Sequence, residues 1–162
     1  MEVVSINPWD LSEVERFQTH TDEEASAIID QVDEAFSDWK KTSFAHRAEL
    51  LHRVAEVLLK NKERYAAHVT AEMGKPISES LAEVEKCAWV CRFYADNAAD
   101  FLAPKTVETD AKTSFVRHDP LGVIYAIMPW NFPFWQVLRF AAPTLMAGNT
   151  AILKHAPNVS RC

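Results

Sequence analysis

Apolar residues recur at helical spacing along most of the first hundred positions of the chain. Thr21 and Glu24 have the spacing of a capping box, in which the two side chains satisfy each other's backbone amides. Apolar side chains then follow every three or four positions up to Trp39, as on one face of an amphipathic helix. The pattern predicts a helix that begins directly after Thr21.

A second helical series runs from Ser43 to Gly74, a residue type that commonly ends helices. Pro76 suits the first turn of a third helix, because its missing N–H would have no partner there. Apolar residues keep helical spacing from that point to Leu102. We therefore expect residues 1–103 to be helical, with one long helix after Pro76.

The period of the apolar residues changes after Pro104, which indicates strands. Residues 113–118 alternate in part between polar and apolar side chains, and turn-forming residues follow at 119–122. The continuous apolar run at 123–128 is typical of a strand that is buried on both faces of a parallel sheet.

A helical segment follows this strand from about Phe132 to Ala147, and a second apolar run lies at 150–153. Strand, helix and strand within about thirty residues are typical of a βαβ crossover, which we place at residues 121–155. The predicted fold class is α/β, with helices first and the start of a parallel sheet after them.

Composition narrows the classes of protein to consider. With 162 residues, 48% of them hydrophobic and 25% charged, the chain has the composition of a globular domain. It has no signal-like start and no apolar run near the roughly 20 residues that cross a bilayer, so we expect a cytoplasmic protein with no membrane partner. The net charge of −6, with Lys and Arg spread along the chain, argues against nucleic acid as a partner.

Polar residues stand where both predicted strands end. Asn131 follows the first strand and Lys154 ends the second, at the edge where open parallel sheets bind ligands. A simpler interpretation is equally open on spacing alone: Asn131 caps the helix that starts at Phe132, and Lys154 is a solvated strand end.

The identity of these residues adds a resemblance to a known family. The string that carries it is Ile127-Met128-Pro129-Trp130-Asn131-Phe132-Pro133, followed by Ala142-Pro143, Ala147-Gly148-Asn149 and Leu153-Lys154. In order and spacing this string closely resembles the signature of the aldehyde dehydrogenase superfamily. The resemblance extends back over most of the chain, including the segment 72–76 and the turn at 119–122. Within the superfamily, the segment 154–158 most resembles that of bacterial succinate-semialdehyde dehydrogenases.

The resemblance implies a truncated version of that fold. Residues 1–162 would form a partial NAD(P)-binding domain, with amino-terminal helices and the start of a Rossmann-like parallel sheet. The family's nucleophile, general base and catalytic domain would lie beyond residue 162, so we expect this chain alone to be inactive. Residues 105–120 resemble the protruding strand pair that joins subunits in the family, which implies a homo-oligomer.

The resemblance also implies roles for individual residues in the oxidation of a small aldehyde with NAD or NADP. Asn131 would donate its side-chain amide to the oxyanion of the transition state. Lys154 would reach the adenosine ribose hydroxyls. The remaining cofactor-binding residues would be Ile127, Met128, Pro129 and Trp130 after the first strand and His155, Ala156 and Pro157 after the second.

Two positions bear on specificity. Many NAD-preferring members carry a glutamate three positions after the lysine, where this chain has Pro157, so the choice between NAD and NADP stays open. Arg139 stands one or two helical turns after Asn131, where semialdehyde-acid dehydrogenases carry an arginine that pairs with the substrate carboxylate. The alternative is a solvated helix arginine.

The cysteines and histidines do not suggest a metal site. Cys87 and Cys91 are one helical turn apart and could form half of a site, but no nearby ligand completes it, and buried helix positions are the better interpretation. Cys162 lacks the surroundings of the family nucleophile. An odd number of cysteines favours reduced thiols over a disulfide framework.

Two other classes of function stay open on the sequence. One is an inactive cofactor-binding or subunit-interaction module, which the missing nucleophile permits. The other is a helical structural protein, which only the first hundred residues would support.

Overall fold

A β-hairpin opens the chain. The computed structural model describes residues 2–162, and its first elements are two antiparallel strands, β1 (Glu2–Ile6) and β2 (Glu13–Gln18). Asn7 Oδ1 accepts a hydrogen bond from Trp9 N at 2.9 Å, which is local turn chemistry. The prediction of helix over residues 1–103 is therefore wrong for residues 2–18, because short strands around a turn give only weak periodicity, and Met1 lies outside the described residues.

Helix α1 (Asp22–Trp39) begins as the sequence predicts. The Thr21 backbone N–H donates to Glu24 Oε2 at 2.8 Å, and the Glu24 backbone N–H donates to Thr21 Oγ1 at 3.2 Å. The capping box is confirmed, since both of its reciprocal hydrogen bonds form.

The helical series from Ser43 to Gly74 is two helices and not one. Helix α2 (Phe44–Lys60) ends at Asn61, which has φ −110° and ψ 19°, and α3 (Lys62–Met73) follows. The Asn61 side-chain amide donates to Val57 O at 2.9 Å, a local bond that competes with helix continuation. The prediction of Gly74 as a helix cap is confirmed, because Gly74 is left-handed with φ 74°.

Helix α4 (Ile77–Phe101) is the long helix that the sequence predicts. It packs against α2, α3 and α5 (Pro133–Met146) and carries most of the hydrophobic core. Cys87 and Cys91 are both fully buried in that core, as expected. The core is formed by Leu51, Ala55, Leu58, Val84, Cys87, Ala88, Cys91, Ala95, Ala98, Ala142 and Met146.

Two further sheets follow α4. Strands β3 (Lys105–Thr106) and β4 (Phe115–Val116) form a short, exposed antiparallel pair. Strands β5 (Val123–Ile127) and β6 (Thr150–Lys154) flank α5 and pair in parallel, which confirms the βαβ crossover. A 3-10 turn, η1, covers Pro157–Val159.

Burial of β5 differs from the prediction. Ala126 is buried, but Tyr125 and Ile127 are 61% and 66% exposed. The expectation of a strand buried on both faces is therefore wrong for this chain, because α1 and α5 leave part of the sheet surface uncovered. Among residues 2–162, none of the helices has the length and apolar character needed to cross a membrane.

Candidate cofactor and substrate site

Strands β5 and β6 end side by side. Ile127 pairs with Lys154 as the last residues in register, and Met128 N donates to Lys154 O at 3.0 Å. The loops that follow, 128–132 and 155–162, therefore start at the same edge of the sheet. This is the edge at which open parallel sheets bind ligands.

A cavity of about 170 Å³ lies between the two loops. Met128, Pro129 and His155 of the predicted site line it, with Phe134 and Leu138 of α5 on one side. The structure thus brings residues from both predicted loops around one space. Pro133, Val137, Leu153, Val159, Ser160 and Cys162 complete its lining.

A second cavity, of about 460 Å³, contains the cationic end of β6. Lys154, His155 and Pro157 line it together with Gln18 and His20, which lie at the end of the amino-terminal hairpin. No carboxylate is among its lining residues, so the charged and titratable groups in this part of the described chain are basic. The contribution of the hairpin was not expected, because the sequence pattern of this region indicated helix.

Asn131 is exposed and does not cap α5. The N-cap residue is Phe132, and its side chain makes no capping hydrogen bond. The simpler interpretation of Asn131 as a helix cap is therefore wrong. Trp130, directly before it, is 50% exposed, so both residues are accessible to solvent next to the end of β5.

Glu83 of α4 holds the start of α5 instead. Its Oε1 accepts hydrogen bonds from the backbone N–H groups of Phe134 and Trp135, each at 3.0 Å. Its Oε2 accepts a hydrogen bond from Lys75, and both side chains of this ion pair are buried. The role of Glu83 was not apparent from the sequence, because Glu83 lies 51 and 52 residues before the two backbone amides that it binds.

Glu72 of α3 holds the loop that follows β6. Its carboxylate accepts hydrogen bonds from the Arg161 N–H at 2.9 Å and from the Cys162 N–H at 2.9 Å. Glu72 is 2% exposed, so these backbone bonds replace its contacts with water. The helical layer therefore contacts the first turn of α5 and the loop after β6 through buried carboxylates.

Arg139 is exposed on α5, eight positions after Asn131. Its guanidinium forms no ion pair within residues 2–162. This placement leaves the side chain accessible to an external carboxylate, and it equally fits a solvated helix arginine.

The three thiols are not activated for nucleophilic attack. Burial raises the pKa of Cys91 to about 11 and raises the pKa of Cys87 and Cys162 further above the ordinary thiol value. Nucleophilic cysteines need a lowered pKa, because the thiolate is the reactive form. Within residues 2–162 there is also no group of three His, Cys, Asp or Glu side chains that could hold a metal ion.

Comparison with known proteins identifies the family. The aldehyde dehydrogenase family model matches residues 1–162. This chain belongs to the aldehyde dehydrogenase family. The mixed α/β fold and the sequence signature therefore have a common explanation.

Similar members of the aldehyde dehydrogenase family are about three times longer. A probable succinate-semialdehyde dehydrogenase (NADP+) of Synechocystis sp. is 50% identical over 162 residues, which are 100% of this chain and 36% of that protein. Succinate-semialdehyde dehydrogenase (NADP+) 1 of Mycobacterium bovis is 44% identical over 165 residues, with the same two shares. The chain thus spans about 36% of the length of the curated relatives it matches.

A solved structure shows the same arrangement of elements. Succinic semialdehyde dehydrogenase of Streptococcus pyogenes, in complex with NADP+, matches with a TM-score of 0.94 and 33% identity. The match covers 98% of this chain and 35% of the solved chain. The fold described above is therefore the amino-terminal fold of an aldehyde dehydrogenase.

Proposed function

We propose that this chain forms the amino-terminal, cofactor-binding part of an NADP-dependent succinate-semialdehyde dehydrogenase. The observation that carries the proposal is the shared edge of β5 and β6, which brings the loop of Asn131 beside Lys154 and His155. The names of the two curated relatives support both the substrate and the cofactor. The reaction would oxidise succinate semialdehyde to succinate.

The cavity at the end of β6 fits a phosphorylated dinucleotide. Lys154 supplies a flexible ammonium group with three donors, and no lining carboxylate repels a phosphate. Pro157 stands where a glutamate of many NAD-preferring members would exclude a ribose phosphate. Bound NADP+ would accept hydride from the substrate. His155 and Ala156 would lie along its path, with the backbone of Ile127, Met128, Pro129 and Trp130.

Asn131 would donate its side-chain amide to the substrate oxygen as negative charge develops there. Its exposure at the sheet edge, clear of the capping position of α5, leaves the amide available for this bond. Arg139 would pair with the carboxylate of the semialdehyde, for which the planar guanidinium has two matching donors. The nucleophilic cysteine would come from outside residues 1–162, because burial raises the pKa of all three thiols here.

We further propose a cytoplasmic homo-oligomer in which the exposed β3–β4 pair contacts a second copy. Phe115 and Val116 are 54% and 50% exposed, which leaves apolar surface for such a contact.

A second candidate function is a catalytically inactive cofactor-binding or subunit-interaction fragment. The exposed apolar side chains of Tyr125 and Ile127 on β5 favour it, because a sheet surface of this kind needs further packing.

The test starts with the intact mass of the purified protein and NADPH formation with succinate semialdehyde. A mass near 18.4 kDa without turnover would support the inactive fragment, and a larger mass with turnover would support the dehydrogenase. In the active protein, N131A should lower kcat about 100- to 1,000-fold, because one oxyanion donor is lost. A kcat within a few-fold of the unsubstituted protein would contradict the role of Asn131.

A further inference from the structure

The buried ion pair between Glu83 and Lys75 has no role in the function proposed above. The residues are 4% and 5% exposed, so neither reaches a substrate. Two opposite charges in an apolar layer need good geometry and further hydrogen bonds to offset the loss of water. Here those further bonds go to Phe134 and Trp135 in the first turn of α5, which begins two residues after Asn131.

The first turn of α5 needs acceptors, because the leading N–H groups of a helix have no partner within it. Pro133 removes one of these donors, and Glu83 Oε1 accepts from the next two, at Phe134 and Trp135. A negative charge at this end also interacts favourably with the helix dipole. Glu83 therefore fixes the position at which α5 starts.

Cations hold the aromatic rings on both sides of Pro133. Lys75 Nζ lies 3.7 Å from the centroid of the Phe132 ring, and Lys86 Nζ lies 4.0 Å from the centroid of Trp135. Both are cation–π distances. Lys75 thus contacts the residue directly after Asn131 while it neutralises Glu83.

We propose that the Glu83–Lys75 pair positions the Asn131 amide for the oxyanion, which makes Glu83 and Lys75 positioning residues of the aldehyde oxidation. The inference rests on the proposed function. An oxyanion donor is effective only if it is preorganised at hydrogen-bond distance from the developing charge. A displacement of about 1 Å at a reacting centre can cost up to about 100-fold in rate.

A double-mutant cycle between Glu83 and Asn131 tests the inference in the full-length protein that carries this chain. E83Q removes the charge and leaves Lys75 without its carboxylate. We expect E83Q to lower kcat about 10- to 100-fold with little change in the KM for cofactor, because the displaced group acts in the transition state. In the N131A background the same change should cost less than about 2-fold, because the donor is already absent.

Two variants control for folding. Glu85 lies on the same helix as Glu83, and E85Q breaks the exposed ion pair that Glu85 forms with Lys62 of α3. This variant should leave kcat unchanged. The double variant K75M/E83Q removes both buried charges, retains an amide oxygen for the α5 donors, and replaces E83Q in the cycle if E83Q folds poorly. Hydrogen exchange of the peptide over 130–135 should rise in E83Q and not in E85Q.

Equal losses of kcat from E83Q in the Asn131 and N131A backgrounds would overturn the inference, since Glu83 would then act independently of Asn131. Unchanged hydrogen exchange over 130–135 would overturn it as well. If the unsubstituted protein has no turnover, the proposed function fails, and so does the proposed effect of the Glu83–Lys75 pair on kcat. The exchange result would then still decide whether the pair holds the turn.

Discussion

The start of α5, directly after the β5 loop, and the loop after β6 are each held by a buried glutamate of the helical layer, but only the first of these glutamates is paired with a cation. Glu83 is paired with Lys75 and accepts from the first turn of α5. Glu72 accepts from Arg161 N and Cys162 N, and within residues 2–162 it forms no ion pair.

This difference matches the tasks that we propose for the two loops. The loop after β5 carries Asn131, whose amide must keep one position relative to a reacting atom. The loop after β6 carries residues that we propose to bind the cofactor, and these would act in the ground state as well as in the transition state. Both attachments use charge-assisted hydrogen bonds from backbone amides to a carboxylate. Only the Glu83 carboxylate is also bound by a buried cation, which restrains it further.

The largest expected effect comes from breaking the attachment of the first loop. K75M leaves the Glu83 carboxylate buried without its cation, and the free energy of unfolding should fall by about 3–5 kcal/mol. Urea unfolding of K75M beside K62M measures this, because Lys62 forms an exposed pair with Glu85 worth about 1 kcal/mol or less. Equal losses of unfolding free energy in K75M and K62M would show that the buried ion pair stabilises the fold no more than the exposed pair does.

The second loop should show a smaller loss. E72Q keeps one acceptor oxygen for the amides of Arg161 and Cys162, so stability should fall by about 1–3 kcal/mol. In an active full-length protein, E72Q should raise the KM for NADP+ more than it lowers kcat, because it disturbs the cofactor loop. A kcat loss as large as that of E83Q, with an unchanged KM, would contradict the division of tasks between the loops.

The smallest expected effect is on thiol reactivity at the second loop. Burial is the first cause that raises the pKa of Cys162, and a hydrogen bond to Glu72 is the next. E72Q should therefore lower the pKa of this thiol, increase the thiolate fraction near pH 9, and speed alkylation by iodoacetamide. Mass mapping of the alkylated peptides measures the rate for each cysteine.

Cys91 is the internal control for this experiment. Burial alone raises its pKa to about 11, so its alkylation should be slow in both proteins. An E72Q protein in which Cys162 reacts no faster than before would exclude the contribution of Glu72. Acceleration at Cys91 as well would indicate general unfolding of the variant.

Local signals predicted the parts of the fold that depend on neighbours in sequence. The capping box at Thr21 and the left-handed cap at Gly74 form because a few adjacent residues satisfy their own backbone groups. The βαβ unit was predictable because its apolar periods and its turn residues alternate clearly along the chain. The amino-terminal hairpin and the break at Asn61 were missed, since short elements give weak periodicity.

The sequence itself determined the family membership of the chain. It also determined the positions of Asn131 and Lys154, because one follows the apolar run of β5 and the other ends that of β6. Only the tertiary structure decided what holds those residues. Glu83 lies 51 residues from the amide it binds, and Glu72 lies 89 residues from Arg161. No local pattern marks such carboxylates, because their role depends on helix packing that buries them against a distant backbone.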